Sequence, residues 1–420
     1  MKQKNTVVWL HLSDLHLCKP KTGWDYRRVL SPLVKDLQDM EKRHGLSPDL
    51  IFFTGDAAYG AVPESPLPEQ YAEVAQFLDS VRTAFTPEVP KQNLFLVPGN
   101  HDVDRGQVTE ADTQWLDGKQ DKAEISDLMR KAGKPWQRFR ERLDSYCQFL
   151  QTYGYAHLLT DPAHLLYAQT RPVAGLKIGI AGLNSAWSCG RNNEKGRLWL
   201  AGDWQSGEIG GRLDGEKVDF RLALMHHPYG WFTEYEDPSL RLLFEREFQV
   251  LLHGHEHLGW VDEKSDGHFR IAAGACYQSS WMENGYNFVR LDLDTGEGEV
   301  WLRRYDGDGG GWVPKSIANK TGDEGCWRLK HLHWLKKALG VAGNGNALPD
   351  APAQTPATMP KPQPASITIG PSAVYIGGDN KGNVNTGTQL NFNGPVTAGR
   401  DFIAGDKIIR NYDGTKADKT

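Results

Sequence analysis

The sequence has little that would indicate secretion or a membrane. No apolar run approaches the roughly 18 residues of a membrane-spanning helix, and the apolar stretch after Lys4 is too short for a signal peptide. The cysteines are few, odd in number and scattered, with no Cys-x-x-Cys pair, which favours free thiols over a disulfide framework. They are Cys18, Cys147, Cys189, Cys276 and Cys326. We therefore expect a cytoplasmic protein with no membrane partner.

An excess of one charge is also lacking. The chain has 48 Lys and Arg against 53 Asp and Glu, a net charge of −5, so it offers no overall attraction for nucleic acid, whose binding surfaces are usually basic. One local cluster is basic, and it contains two aromatic residues. Its members are Arg130, Lys131, Lys134, Trp136, Arg138, Phe139, Arg140 and Arg142. We interpret the cluster as a solvated helix face; the alternative is a clamp for the substrate.

Five short polar motifs occur in the first 257 residues. They are Asp14-Leu15-His16, Gly55-Asp56, Gly99-Asn100-His101-Asp102, His226-His227 and Gly254-His255-Glu256-His257. Together they supply imidazole nitrogens, carboxylates and an amide oxygen, which suit Mn, Fe, Zn and related divalent ions. Any one motif alone is weak evidence, because an isolated Asp-x-His is usually a solvated turn. All five in one chain indicate a metal centre.

An apolar run precedes each motif. These runs cover residues 7–10, 50–53, 94–97, 222–225 and 250–252, and their length and composition predict buried strands. Every candidate ligand therefore lies at or just past the carboxyl end of a strand, where open α/β sheets have their sites. The adjacent glycines allow the backbone to turn sharply there.

The ordered set of motifs resembles that of the calcineurin-like metallophosphoesterase superfamily, over residues 6 to 305 or so. The resemblance implies an α+β fold, a four-layer α/β/β/α sandwich with a helical insertion. It also implies two divalent metal ions (Mn, Fe, Zn, Ni or Co, with Mn favoured) and hydrolysis of a phosphoester by a metal-bridging hydroxide. Carried over by position, the ligands are Asp14, His16, Asp56 and His257 for one ion and Asp56, Asn100, His226 and His255 for the other. Asp56 is then the bridge.

The resemblance gives His101 the position of the catalytic histidine, close to the leaving group. A neighbouring carboxylate is expected to orient its ring; Asp102 is a candidate for that role, and Asp14 is the alternative. The chain differs from the protein serine/threonine phosphatases, because Asp56 is followed by Ala57 and Ala58 and not by their Asp-Arg-Gly extension. This difference argues against that branch of the superfamily.

Other histidines and acids near the motifs have simpler interpretations. His226 is preferred to His227 as the ligand, since it directly follows the strand. Glu256 is expected to point away from the metals. His11 and His253 lie within or at the end of apolar runs and are interpreted as buried structural histidines.

Periodicity predicts the remaining organisation. Helices are expected at residues 24–43 and 70–84, a helical insertion at 105–170, a strand at 176–183, a short connection at 202–222, and antiparallel strands at 268–275, 286–293 and 299–305. Together with the motif strands these elements predict a β-sandwich flanked by helices. We assign residues 1–340 to the catalytic domain.

Aromatic residues are frequent in the loops. Tyr229 and Trp231 follow a candidate ligand closely and are expected to stack on a substrate base. The other loop tryptophans are interpreted as small cores. These are Trp187, Trp199, Trp204, Trp260 and Trp281.

The composition changes after residue 340. Residues 341–365 are rich in Pro and Ala and predict a linker. Residues 366–420 alternate short apolar pairs with Gly-Asn and Gly-Asp steps, and predict short strands that associate with copies of themselves or with a protein partner; the alternative is a disordered tail. This segment resembles tails on effector domains of bacterial conflict and signalling proteins.

The functional hypothesis is a metal-dependent phosphodiesterase acting on a nucleotide or nucleic acid. The alternatives are a phosphomonoesterase, or a binding and scaffold protein with a vestigial metallo-domain whose tail mediates assembly. The complete ligand set and His101 favour an enzyme, because a scaffold has little need of them.

Overall fold

A computed structural model describes residues 5–340, 402–404 and 407–409. The chain divides into two units, Met1–Asn346 and Ala347–Thr420. In the second unit the described residues form two strands, β14 (Phe402–Ala404) and β15 (Lys407–Ile409), paired antiparallel. The predicted linker at 341–365 and most of the predicted tail at 366–420 lie outside the described residues. The division into domain, linker and tail therefore stays a prediction.

Thirteen strands of the first unit form two sheets. They are β1 (Thr6–Leu12), β2 (Leu50–Phe53), β3 (Leu94–Leu96), β4 (Tyr167–Val173), β5 (Leu176–Gly182), β6 (Phe220–Leu224), β7 (Val250–His253), β8 (Trp260–Glu263), β9 (Phe269–Ala272), β10 (Gly285–Asp292), β11 (Glu297–Asp306), β12 (Gly311–Pro314) and β13 (Cys326–Leu329). The first sheet has the order β12-β11-β10-β1-β2-β3, with β13 also paired to β11, and the second has the order β4-β5-β6-β7-β9-β8. One apolar core includes residues from both sheets.

Ten helices accompany the sheets in the described part of the chain. They are α1 (Lys19–Thr22), α2 (Asp25–His44), α3 (Leu67–Arg82), α4 (Glu110–Asp117), α5 (Lys122–Lys131), α6 (Lys134–Glu141), α7 (Asp144–Thr152), α8 (Gly202–Asp214), α9 (Asp237–Glu247) and α10 (His333–Ala338). The predicted α+β fold, two sheets accompanied by helices, is confirmed. None of the described helices has both the length and the apolar character needed to cross a bilayer.

The predicted strands and amphipathic helices are present. The strand β9, predicted with β10 and β11 as antiparallel, lies instead in the second sheet, where it pairs parallel with β7 and antiparallel with β8. All five apolar runs lie in strands β1, β2, β3, β6 and β7 or extend one residue past them. The helix predicted at 24–43 is α2, and its expected apolar side, Val29, Leu33, Leu37 and Met40, is buried. Because β1, β2 and β3 are parallel neighbours, their carboxyl ends lie at one edge of the first sheet. The parallel pair β6 and β7 does the same in the second sheet.

The short connection expected at 202–222 is wrong, because residues 202–214 form the helix α8. Four glycines, at 202, 207, 210 and 211, lower the helix propensity of this segment and conceal its pattern. Gly202 has a packing reason: a Cβ there would overlap the Leu240 side chain of α9. Close approach of two helices therefore explains why the sequence departs from an ordinary helical pattern.

The helical insertion contains α4 to α7, and the basic cluster lies within it. Its most buried members do not face solvent: Trp136 is buried against Trp187, with ring centroids 5.3 Å apart. The Arg142 guanidinium is also buried, and Nη2 donates to Asp112 Oδ2 at 2.7 Å. Trp136 and Arg142 thus hold the insertion together. For these two residues both interpretations are wrong, because they are part of neither a solvated helix face nor a substrate clamp.

Replacing Arg142 by methionine should lower the free energy of unfolding by about 2–4 kcal/mol, because Asp112 loses its buried partner and keeps only the half-exposed Arg138. Exposed Arg130, which pairs with Asp127 in the same insertion, is the matched control. Arg130→Ala should change stability by about 0.5 kcal/mol or less. Urea unfolding of both variants measures the difference. Equal effects would mean that the Arg142 ion pair does not support the insertion.

Candidate metal centre

The carboxyl edges of the two sheets meet at the five motifs. Hydrogen bonds cross from one sheet to the other: His226 Nδ1 lies 2.7 Å from the Thr54 carbonyl oxygen, and the His255 N–H donates to Asp14 Oδ2 at 3.0 Å. Residues from β1, β2, β6 and β7 loops are thereby joined directly. The site exists only because both sheets contribute to it.

A first group of side chains surrounds Asp14. His257 Nε2 lies 3.2 Å from Asp14 Oδ1, and His16 Nε2 lies 3.7 Å from the same oxygen. The two imidazole nitrogens are 3.2 Å apart. Asp14 is fully buried and His16 nearly so, while His257 is partly exposed.

A second group surrounds His226. Its Nε2 lies 3.1 Å from Asn100 Oδ1, 3.1 Å from His255 Nδ1 and 3.2 Å from Asp56 Oδ2. Asp56 Oδ2 also lies 3.9 Å from His16 Nε2 in the first group. One carboxylate oxygen therefore reaches both groups. All seven predicted ligands are brought together, with Asp56 between the two sets.

The backbone is strained at these positions. Asp14, His16, Asp56, His255 and His257 all have φ between 45° and 73°, in the left-handed region. They are five of the eleven non-glycine residues with positive φ in the described part of the chain. Each costs about 1–3 kcal/mol, and such strain concentrates at functional sites. The strain turns these side chains inward from the strand ends.

The spacing of the nitrogens fits shared metal ions. Two nitrogen ligands at about 2.1 Å from one tetrahedral or octahedral ion lie about 3.0–3.4 Å from each other. The pairs His16 with His257 and His226 with His255 both have this spacing. Asp14 Oδ1 is buried and receives no hydrogen bond of good geometry, so it keeps a lone pair for a cation. The residues therefore fit the metal ions that the motifs imply.

The electrostatics favour bound cations. Burial alone would raise the pKa of Asp56, but the imidazoles of His226 and His101 hold it well below its ordinary value. Burial lowers the pKa of His16 to about 4 and that of His255 to about 3, so both rings are neutral and carry lone pairs at pH 7. For His226 burial is outweighed by Asp56 and Asp14, which raise its pKa to about 9, so this ring would release a proton on binding a metal. Ionised carboxylates and neutral imidazoles form the donor set that divalent metals require.

His101 lies at the edge of this centre, with its ring centroid 4.5 Å from that of His16. Its backbone N–H donates to Asp56 Oδ1 at 2.8 Å, and its ring Nδ1 is hydrogen-bonded to the Tyr59 carbonyl oxygen. A carbonyl oxygen can only accept a hydrogen bond, so Nδ1 carries the proton and Nε2 is the nitrogen left free of this contact. A main-chain carbonyl, not a carboxylate, orients this ring.

The orienting role expected for Asp102 is wrong. Its carboxylate is buried and accepts from the N–H of Gly99 at 2.8 Å and from the Tyr71 hydroxyl at 3.0 Å, with longer contacts to the N–H groups of Ala57 and Ala58. Burial, then the charge of Asp56, raise the pKa of Asp102 to about 6. Asp102 therefore joins the second and third motif loops. Asp14, the alternative, is occupied by His257 and His255 and does not orient His101 either.

Three of the residues set aside as neighbours, Glu256, His11 and His253, lie as expected, whereas the preference for His226 over His227 stays a prediction because ligand atoms of both lie near that of His255. Glu256 is exposed, while His11 and His253 are buried. His11 Nε2 bonds to the Thr54 hydroxyl at 3.0 Å. His227 is fully buried behind His226, with Nδ1 3.0 Å from Ser185 Oγ, which also accepts from the His226 N–H. The Thr54 carbonyl was not predicted as a partner of His226, because nothing local in the sequence shows which histidine it supports.

Some aromatic residues of the loops are buried where exposure was expected, and one is exposed where burial was expected. Tyr229 is buried, so it offers no face for stacking, and the expectation for it is wrong. Trp231 does lie at the centre, with its ring centroid 3.9 Å from that of His255 and nearly perpendicular to it. Trp187 and Trp199 are core residues, whereas Trp281 is exposed and not part of a core.

Gly254→Ala should disrupt the centre, because a Cβ at this position would lie 2.5 Å from Asp14 Oδ2 and closer still to Ser13 Oγ. We expect metal affinity to fall at least about 100-fold, as when ligand geometry is lost. Gly207→Ala is the control, since a Cβ there on α8 meets nothing within 4 Å. It should keep full metal content and gain up to about 1 kcal/mol of stability. Titration with a fluorescent metal competitor measures both, and a normal affinity in Gly254→Ala would contradict the geometry.

The fold and the paired ligand groups define a metal centre between two sheets. A model of the calcineurin-like phosphoesterase family matches residues 9–259, more than half of the chain. The chain belongs to that family. The family and the clustered ligands imply divalent metal ions and a phosphoester substrate.

Individual relatives are distant. The uncharacterized metallophosphoesterase-like protein YydB of Bacillus subtilis (strain 168) is 22% identical over 304 residues, 70% of this chain and 58% of that protein. The chain thus spans less than two thirds of the length of this relative. Among solved structures, a putative 5'-nucleotidase from Staphylococcus aureus is 13% identical, with a TM-score of 0.40, covering 79% of this chain and 58% of that one. A dimetal phosphatase from Danio rerio is 11% identical, with a TM-score of 0.40, covering 72% of this chain and 96% of that one.

Proposed function

We propose that the protein is a phosphodiesterase that uses two divalent metal ions to hydrolyse a nucleotide or nucleic-acid substrate. Asp14, His16 and His257 would hold one ion, and Asp56 would contribute to both. The remaining ligands of the second ion would be Asn100, His226 and His255. The observation that carries this proposal is the position of Asp56 Oδ2, which lies 3.2 Å from one imidazole nitrogen and 3.9 Å from another in the opposite group.

The ions, when bound, would supply Lewis acidity toward phosphoryl oxygens and lower the pKa of water toward about 7. The protein does the rest. Asp56, Asp14 and the imidazoles would hold the positive charge of the ions beside the phosphoryl group. Because the ions activate water, a protein nucleophile is not needed. His101 presents Nε2 beside His16, while its Nδ1 is held by the Tyr59 carbonyl. Protonated at Nε2, His101 donates to the departing oxygen.

Aromatic rings at the mouth support a nucleotide-like substrate. Trp231 lies against His255, and the Tyr59 ring, partly exposed, has its centroid 6.2 Å from that of His101. An exposed ring next to a phosphoryl site offers a face on which a base can stack.

We extend the proposal to the predicted tail, residues 366–420, as a module for self-association or partner binding, and to a cytoplasmic location.

The test is hydrolysis of bis(p-nitrophenyl) phosphate by full-length protein that has been stripped by chelator and reconstituted with Mn, Fe, Zn, Ni or Co. Turnover that requires metal, with Mn most effective, is the expected result. The monoester p-nitrophenyl phosphate is the comparison substrate. A strong preference for it would make the protein a phosphomonoesterase. Absence of turnover with two metals bound per chain would favour the scaffold alternative.

A further inference from the structure

Two tryptophans are exposed on loops that border the metal centre. Trp24 and Trp281 expose 78% and 81% of their surface, the largest fractions among the big hydrophobic side chains that the structure describes. A tryptophan ordinarily buries 150–250 Å², roughly, so leaving two in water forgoes a large stabilisation. Large apolar side chains left exposed in this way indicate a binding surface.

Both indoles project from one hydrogen-bonded base. The Asp25 carboxylate accepts from the Ser280 N–H at 2.7 Å, the Ser280 hydroxyl at 2.5 Å and the Tyr277 hydroxyl at 3.0 Å. Asp25 directly follows Trp24, and Ser280 directly precedes Trp281. The two tryptophans are therefore fixed to each other through a single carboxylate, although 257 positions separate them in the sequence.

This base is fixed in turn to the metal centre. The Tyr277 N–H donates to the carbonyl oxygen of the metal-ligand candidate Asp14 at 3.2 Å. The loop of Trp281 is braced from within by buried Asn284, whose side chain accepts from the Gln278 N–H and donates to the Ser279 carbonyl, each at 2.7 Å. The exposed indoles thus stand at a defined position relative to the ligands.

Positive charge accompanies the aromatic rings. The Arg27 guanidinium lies 5.3 Å from the centroid of the Trp24 ring. Lys19 and Lys21 in the preceding helix are paired with Glu73 and Glu64. Among the ion pairs of the described residues, none involves Arg27, which leaves its charge available for an anion.

We propose that Trp24, Arg27 and Trp281 form a binding surface for single-stranded nucleic acid, with the indoles stacking on two bases and Arg27 contacting the backbone phosphates. This rests on the proposed function and specifies its substrate class. Exposed indoles stack on any base, and a guanidinium beside them pairs with the phosphates between bases. A duplex hides its base faces, so the surface selects single strands.

The test is fluorescence anisotropy with full-length, metal-loaded protein and a labelled oligothymidylate of about 15 nucleotides with phosphorothioate linkages, which resist hydrolysis. Trp24→Ala and Trp281→Ala should each weaken binding about tenfold. Arg27→Ala should weaken it and reduce the slope of log affinity against log salt by about 0.7. Leu242→Ala, which removes an equally exposed side chain from α9, should change nothing. An abasic oligonucleotide and a blunt duplex should bind wild-type protein at least tenfold more weakly.

Two results would overturn the inference. One is equal binding by wild type and both tryptophan variants. The other is that the tryptophan variants keep the oligonucleotide affinity of wild type but sediment differently. That result would make the surface an interface between copies of the chain. The proposed function is tested by a different measurement, the metal-dependent turnover of bis(p-nitrophenyl) phosphate by wild-type protein. The failure of one proposal is therefore distinguishable from the failure of the other. Thermal unfolding of the variants, whose replaced side chains are exposed, verifies that they are folded.

Discussion

Asp56→Asn is expected to lower turnover about a thousandfold or more and to leave the protein with less than its full complement of metal. The change is nearly isosteric, so it removes charge while keeping the side chain in place. Asp56 Oδ2 faces imidazoles of both ligand groups, and Asp56 Oδ1 accepts from the His101 N–H. The loss therefore affects both ions and the loop of His101 together. Elemental analysis and kinetics on the purified variant measure the two effects.

Glu256→Gln is the matched control, because it removes one carboxylate from the same centre without touching a ligand. Glu256 lies between His255 and His257 in sequence and is exposed to solvent. Its variant should keep both the metal content and the turnover of wild type. If Asp56→Asn retained two metals per chain, the bridging assignment would be lost even with reduced activity.

His101→Ala is expected to retain its metals and to lose about 10²–10⁴ in turnover, the usual contribution of a general acid. The ring lies beside His16, and a ring nitrogen lies near the ligand atoms of His16 and Asp56, but His101 is not one of the predicted ligands. Because Nδ1 of His101 is bound to the Tyr59 carbonyl oxygen, Nε2 is the nitrogen left for the proposed proton donation. The loss should depend on the leaving group, since a good one departs without a proton.

Comparison of two diesters separates this role from a structural one. On bis(p-nitrophenyl) phosphate, whose leaving group is acidic, the variant should lose less activity than on a dinucleotide, whose leaving group is an alcohol. His331→Ala, a histidine outside the centre, should affect neither substrate. Equal losses on both diesters would refute proton donation by His101. A loss of metal would instead make His101 a ligand.

The family and the ligand types followed from local sequence. The apolar runs before each motif predicted strands because burial selects such residues whatever their partners, and those strands are present. The helix α2 followed from its periodicity for the same reason. Where local pattern was weak the prediction failed: four glycines conceal the helix α8, and of these only Gly202 is required by close contact with Leu240.

Details of the site depended on contacts that no local pattern reveals. Asp102 is adjacent to His101 in sequence, yet its carboxylate accepts hydrogen bonds from Gly99 and Tyr71. The His101 imidazole instead donates to the Tyr59 carbonyl oxygen, 42 positions earlier in the chain. Trp281 looked like a core residue because most tryptophans are buried. It is exposed because Asp25 and Asn284 fix its loop at the surface.

The sequence by itself determined the chemistry: which side chains can bind metal, in what order they occur, and that strands precede them. Tertiary structure decided the geometry, because the ligands come from two sheets and from positions up to 243 residues apart, Asp14 and His257 being the extremes. Only their meeting puts Asp56 between two groups of imidazoles. Only the left-handed backbone at the strand ends, stabilised by contacts across the sheets, turns those side chains toward one another.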